Sequence, residues 1–171
     1  MKYILKLAGI LLLITALVAG LLGFVNELTA QRIADNTAEK ANSAMQTVLP
    51  SSDYEKLEVN DSRITEAYRA EEGYVVRLNA NGFGGAIDMM VGIGTDGTVT
   101  GVSVISHSET ASLGAECTRE DWRAQFVGAQ GELKVTKDGG TIDALTGATV
   151  TSRAVTEGVQ IALEFVKEAE A

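Results

Sequence analysis

The chain opens on an uninterrupted apolar stretch. From Leu7 to Asn26 (LAGILLLITALVAGLLGFVN) no residue is charged. At about 1.5 Å rise per residue, roughly 20 such residues cross the ~30 Å hydrocarbon core of a bilayer as a helix. No polar stripe interrupts the run, as one would in an amphipathic core helix. A cleaved secretory signal carries only about 7–15 apolar residues before an A-x-A-like site. This run is longer, and ALVAG is a poor cleavage site. Residues 1–26 are therefore read as a retained transmembrane anchor. Beyond them Leu28, Ile33, Ala34, Ala38, Ala41, Met45 and Val48 recur at helical spacing among charges, and Pro50 closes the pattern. Residues 27–50 are read as a stalk helix continuing the span.

After Pro50 the period shortens. EAYRAEEGYVVRLNANGFGG predicts two strands broken at Glu71-Glu72-Gly73, followed by a glycine cluster at Gly82, Gly84 and Gly85. That cluster is neither G-x-G-x-x-G nor a Walker loop, and a glycine bend admitting close backbone approach explains it equally well. AIDMMVGIGTDGTVTGVSVIS predicts a hairpin turning at Asp96-Gly97. A loop then leads to a short helix around Asp121 to Phe126, whose Trp122 and Phe126, four apart, point into the core. GELKVTK reads as a further strand, and Asp138-Gly139-Gly140 as a turn. An amphipathic helix from Val150 to about Glu168 ends the chain, burying Val155, Val159, Ala162, Leu163 and Val166. Strands followed by helices predict one α+β domain over residues 51–171.

Charge sets orientation and narrows the partners. Lys2 and Lys6 precede the span, and lysines bias their side toward the cytoplasm. Past residue 26 there are 12 basic and 23 acidic residues, a formal −11. The C-terminal domain is therefore expected on the outer, extracytoplasmic face of the cell membrane. Its acidity argues against nucleic acid as a partner, because too few cations are present to neutralise phosphates in number. One cysteine, Cys117, and one histidine, His107, cannot build a disulfide, a haem attachment site, a cysteine-ligated cluster or a multi-histidine zinc site. No metal site is expected. Any redox chemistry here must use an organic cofactor.

The chemistry-bearing stretch is DALTGATVTSRAV, Asp143 to Val155. Thr146, Thr149, Thr151 and Ser152 crowd the start of the last helix around Gly147. Hydroxyls there can simply cap the helix. A helix N-terminus also favours an anion, above all phosphate, and glycine allows a tight turn or a close approach. Spacing alone leaves both readings open.

The same stretch resembles the flavinylation motif of extracytoplasmic FMN-binding domains: Asp, two residues, Ser or Thr, then Gly-Ala-Thr. In that family a flavin transferase moves FMN from FAD onto the last threonine. The resemblance implies Asp143 as the recognition acid, Thr146-Gly147-Ala148 as the turn and Thr149 as the covalent attachment point, with Thr151 and Ser152 near the phosphate. HSETASLG, His107 to Gly114, is similar to the family's H-x-E-T-P-G-L-G loop against the isoalloxazine ring. Glu109, Thr110, Leu113 and Gly114 match, whereas Ala111-Ser112 replace the usual Pro-Gly. His107 is a candidate proton donor or a hydrogen-bonded loop residue.

One span, a stalk and a single domain resemble the plan of the G subunits of Rnf complexes. Those membrane assemblies pass electrons between ferredoxin and NAD and pump sodium ions or protons. The C subunit of the sodium-pumping quinone reductase shares the plan. The resemblance implies an electron-carrying redox subunit without stand-alone catalysis, with covalent FMN as its cofactor. It implies as partners the other subunits of a membrane complex, the transferase and the membrane itself. Two other readings stand beside it: a flavoprotein serving another extracytoplasmic reductase, and an anchored binding domain that carries no flavin.

Overall fold

The computed structural model describes residues 2–170. A single helix, α1, runs Lys2–Val48, and the chain divides into two compact units, Met1–Glu39 and Lys40–Ala171. In the first unit the large apolar residues from Tyr3 to Ile33 are all exposed. A helix apolar all round suits lipid.

The second unit is built on one antiparallel sheet in the order β1-β2-β3-β4-β5. Its strands are β1 (Glu55–Leu57), β2 (Ile64–Ala70), β3 (Gly73–Asn81), β4 (Ala86–Gly94) and β5 (Val99–Ser106). Neighbouring strands follow one another in sequence, so short turns suffice. At the β4–β5 turn Gly97 takes φ 75°, and the Gly94 N–H donates to Thr98 O at 2.8 Å. The pattern did not predict β1, which has three residues and one neighbouring strand.

Both faces of the sheet are covered, which is why β4 reads as a nearly continuous apolar run. On one face Val76, Leu78, Ile87, Met89, Val91 and Ile93 pack beneath the last helix, α3 (Thr149–Ala169). Val155, Val159, Ala162, Leu163 and Val166 of α3 are all buried there, as its period predicts. Gly158 brings α3 close, since a Cβ on it would lie 2.8 Å from Met89 Sδ. On the other face Val75 and Met90 pack with Ala41, Ala44, Met45, Val48 and Leu49 at the end of α1. Gly92 and Gly101, paired across β4 and β5, leave room for that end. A Cβ on Gly92 would lie 2.3 Å from Val48 O, and the Thr100 hydroxyl donates to the same oxygen at 2.6 Å. The last turns of the stalk helix thus belong to the domain core.

Two expectations need correction. GELKVTK forms no ladder strand: Val135 makes one parallel bridge to Ile142, and the chain then turns through a 3₁₀ segment, Thr136–Asp138. Its alternation is real, because Leu133 and Val135 are buried between exposed neighbours. The backbone closes locally instead, with Thr136 N–H donating to Ile142 O and Ile142 N–H to Lys134 O. The helix placed over Asp121 to Phe126 is split into α2 (Glu120–Arg123) and a 3₁₀ turn, Ala124–Phe126. Trp122 and Phe126 are buried as expected, meeting edge to face at 5.4 Å.

Candidate functional site

The two motif segments, separated in sequence by the residues between Gly114 and Asp143, line one cleft of about 390 Å³. Glu109, Thr110, Leu113 and Gly114 form one wall, and Gly147, Ala148, Thr149, Val150 and Thr151 the other. Phe83, at the tip of the β3–β4 turn, closes a third side. Asp143, Thr146, Ser152 and His107 do not line the cleft. A depression of about 570 Å³ near the C-terminal half of α3 is larger, but Asp96, Glu132, Glu164 and Glu170 outnumber Lys167 in its lining and disfavour an anion.

The α3 wall is shaped by a turn at its start. Ala148 N–H donates to Leu145 O at 3.0 Å, and Gly147 takes φ 76°, a value glycine reaches without steric cost. Ala148 is the N-cap and caps nothing with its side chain. The four hydroxyls do not cap the helix either. Ser152 Oγ, fully buried, accepts from Leu145 N–H and donates to Ala148 O, both at 2.9 Å. Thr151 Oγ1 donates to Glu109 Oε2 at 2.6 Å. Thr149 Oγ1 accepts from Lys137 Nζ at 2.7 Å, while Thr146 is exposed. The first N–H groups of α3 are thereby left for an acceptor from outside the helix.

Glu109 ties the walls together. Its buried carboxylate accepts from Gly84 N–H at 2.9 Å on Oε1 and from the Thr151 hydroxyl on Oε2. The neighbouring glycines exist because of it. A Cβ would lie 2.1 Å from its Oε1 if placed on Gly82, and 2.2 Å from its Oε2 if placed on Gly114. His107 orders the same loop: its Nδ1 accepts the Glu109 N–H at 3.1 Å, which leaves the proton of the neutral ring on Nε2. Cys117 is buried behind the loop. Desolvation first and the Glu109 charge second push its thiol up to about 11, so it stays protonated and unreactive at neutral pH.

The Ala111-Ser112 departure has a structural consequence. Thr110 O accepts from Leu113 N–H at 3.2 Å, and Ser112, third in that turn, takes φ 59°. A serine held in the left-handed region costs about 1–2 kcal/mol, which glycine avoids. Ser112→Gly is therefore expected to raise the melting temperature by roughly 2–5 °C, read by thermal denaturation of the soluble domain. A lower melting temperature would show that the serine is held there for another reason.

Asp143 is placed by its backbone. Trp122 Nε1–H donates to Asp143 O at 2.7 Å, and Asp143 N–H donates to Gln125 Oε1 at 2.7 Å. Its carboxylate is left exposed. Sequence reasoning assigned Trp122 to the core and missed this second task, and it passed over Lys137, Gln125 and Phe83. Only Phe83, an aromatic inside a glycine cluster, carried a local signal.

The cleft suits a flavin mononucleotide. Phe83, Leu113 and Val150 are 74%, 43% and 48% exposed at its mouth, apolar surface without a protein partner and apt for a flat aromatic ring. The uncapped helix start and Lys137 suit its phosphate.

Comparison with known proteins points to the same cofactor. An FMN-binding domain family matches residues 82–164, and the RnfG N-terminal region matches residues 1–48. The chain is 34% identical to the G subunit of the ion-translocating oxidoreductase complex of Methanosarcina acetivorans, over 99% of this chain and 97% of that one. It is 36% identical to the G subunit of the proton-translocating ferredoxin:NAD(+) oxidoreductase complex of Clostridium ljungdahlii, over 91% and 88%. For the G subunit of the Na(+)-translocating ferredoxin:NAD(+) oxidoreductase complex of Acetobacterium woodii the identity is 33%, over 95% and 91%. Matched along nearly its whole length, the chain belongs to the family of G subunits of Rnf-type ion-translocating oxidoreductase complexes.

Proposed function

We propose that this chain is an electron-carrying flavoprotein subunit of a membrane-bound, ion-translocating ferredoxin:NAD oxidoreductase, with FMN attached to Thr149 through a phosphoester. The observation that carries the proposal is the convergence of Thr149 and the Glu109–Gly114 loop on one cleft with an apolar mouth. FMN, when bound, supplies one- and two-electron chemistry, and the protein supplies position and electrostatics. Thr149 provides the tether, the start of α3 the phosphate environment, and Phe83, Leu113 and Val150 the apolar surroundings. Glu109 holds the two walls in register. The exposed Asp143 carboxylate is the handle a flavin transferase recognises while it draws FMN from FAD. Relatives of similar identity are named for protons and for sodium ions, so the choice of ion is assigned to other subunits.

The test is the intact mass of protein co-expressed with a flavin transferase and ample FAD. One FMN minus water should be added, on the tryptic peptide 138–153 that contains Thr149. An unmodified mass under those conditions would remove the flavoprotein reading.

Residues 1–26 anchor the subunit, with Lys2 and Lys6 cytoplasmic and the flavin domain outside. The full-length protein should fractionate with membranes, and protease added outside the cell should reach the chain after Asn26. Recovery of soluble protein beginning near Gly20 would show cleavage and refute the anchor.

A further inference from the structure

Lys137 has no place in the motif that surrounds Thr149, yet its ammonium lies 2.7 Å from the Thr149 hydroxyl oxygen. Its position is built. It sits in the 3₁₀ turn Thr136–Asp138, closed by Asp138 N–H to Val135 O at 2.8 Å and by Gly140 N–H to the same oxygen at 3.1 Å. Val135 and Ile142, 1% and 2% exposed, root this loop in the core. Arg153 lies one helical turn beyond Thr149 on the same face. It grips Asp138 through two hydrogen bonds of 2.6 and 2.7 Å, stitching the loop to α3.

That pairing also sorts the charges. Asp138 neutralises Arg153, and the two arginine contacts hold the Asp138 carboxyl below its usual range. Among the described residues Lys137 makes no ion pair of its own, and Asp138 beside it is engaged by Arg153. A cation whose one hydrogen bond goes to Thr149 therefore faces the one hydroxyl read as a phosphoryl acceptor. We propose that Lys137 is the positioning residue for attachment, holding the Thr149 hydroxyl for phosphoryl transfer and then balancing the charge of the phosphodiester. This assignment rests on the covalent attachment proposed above.

The chemistry follows from the donor direction. An ammonium donates and cannot accept, so it occupies a lone pair of Oγ1 and turns the hydroxyl proton away from itself. Thr149 Oγ1 bonds to the flavin-side phosphorus of FAD, and the phosphoanhydride bond to the adenylyl half breaks. AMP leaves with the bridging oxygen, and the threonine proton passes to a base of the transferase. FAD as a dianion thus yields a diester monoanion, AMP as a dianion and one proton, with no change of oxidation state. Lys137 stabilises negative charge as it develops on Oγ1, and its remaining donors suit the diester oxygens afterwards.

The experiment follows loading by intact mass over time, with purified transferase and FAD at fixed concentrations. Lys137→Met should load about tenfold more slowly than wild type, the scale of one charge-assisted hydrogen bond, with an unchanged melting temperature. Lys137→Arg should recover most of the rate because it keeps the cation. Lys134→Met, which loses a surface pair with Glu132 and a weaker attraction to Asp138 but no contact with Thr149, should load normally. In fully loaded protein the phosphorus-31 resonance should differ between wild type and Lys137→Met. Equal loading rates for wild type and a folded Lys137→Met would overturn the assignment, as would an arginine variant no faster than the methionine one. Wild type that fails to load at all would refute the attachment itself, a separate result.

Discussion

Thr149→Ala is expected to abolish covalent flavin completely while leaving the domain folded. Two roles for this threonine predict opposite results. As a helix cap its loss would cost about 1 kcal/mol of stability and leave bound cofactor untouched. Thr149, however, is the first residue of α3, the cap position belongs to Ala148, and the Thr149 hydroxyl bonds only Lys137. Stability should accordingly change by no more than about 0.5 kcal/mol, as for an ordinary surface substitution. Thr149→Ser keeps a hydroxyl without the β-branch that fixes its rotamer, so it should load at a reduced rate. Asp143→Ala should slow loading with little effect on melting, because Trp122 and Gln125 grip its backbone and not its carboxylate. If Thr149→Ala retained a flavin adduct on peptide 138–153, another of its hydroxyls would be the acceptor.

The elements legible in the sequence were those whose local pattern and tertiary burial coincide. α3 has one apolar stripe and buries it on one sheet face, so its period located its core residues. The hairpin of β4 and β5 was marked by Asp96-Gly97, whose left-handed glycine the turn requires. The segment around Leu133 and Val135 was misread because alternation reports which side chains are buried, and not what the backbone pairs with. There the partner is the return leg of the same loop. The docking of the last turns of α1 left two traces, the apolar spacing of Ala41, Met45 and Val48 and the glycine pair Gly92 and Gly101, whose meaning depends on Val48 lying across them.

The candidate site divides along the same line. Asp143 to Thr149 and Glu109 to Gly114 could be singled out because each is contiguous, so spacing carries the pattern. Their convergence on one cleft is tertiary. Lys137 reaches Thr149 across 12 positions through a loop that no periodicity describes. The part of Glu109 was hidden for a similar reason: Gly82 and Gly114 look like unrelated flexible points until one buried carboxylate is seen to need space beside both, with the Gly84 N–H donating to it.

Gly114→Val is the second substitution expected to have a large effect, and the structure changes the reason for it. From the sequence, a side chain here would intrude on the ring. Gly114 does border the cleft, but its missing Cβ points at Glu109 Oε2, 2.2 Å away, and at Thr151 Oγ1, 2.8 Å away. Valine must therefore expel the carboxylate, breaking its bonds from Thr151 and Gly84 and separating the two walls. Losing buried hydrogen bonds to a charged group costs about 2–4 kcal/mol, a fall in melting temperature of roughly 10 °C. The flavin absorption spectrum or potential should shift with it. A double-mutant cycle separates the two causes. If the clash is with Glu109, Glu109→Ala removes the obstacle, and the double variant should be less destabilised than the sum of the singles by at least about 1 kcal/mol. Additive losses, with a spectral shift that persists in the double variant, would mean that Gly114 meets the ring directly and that Glu109 is not what requires the glycine.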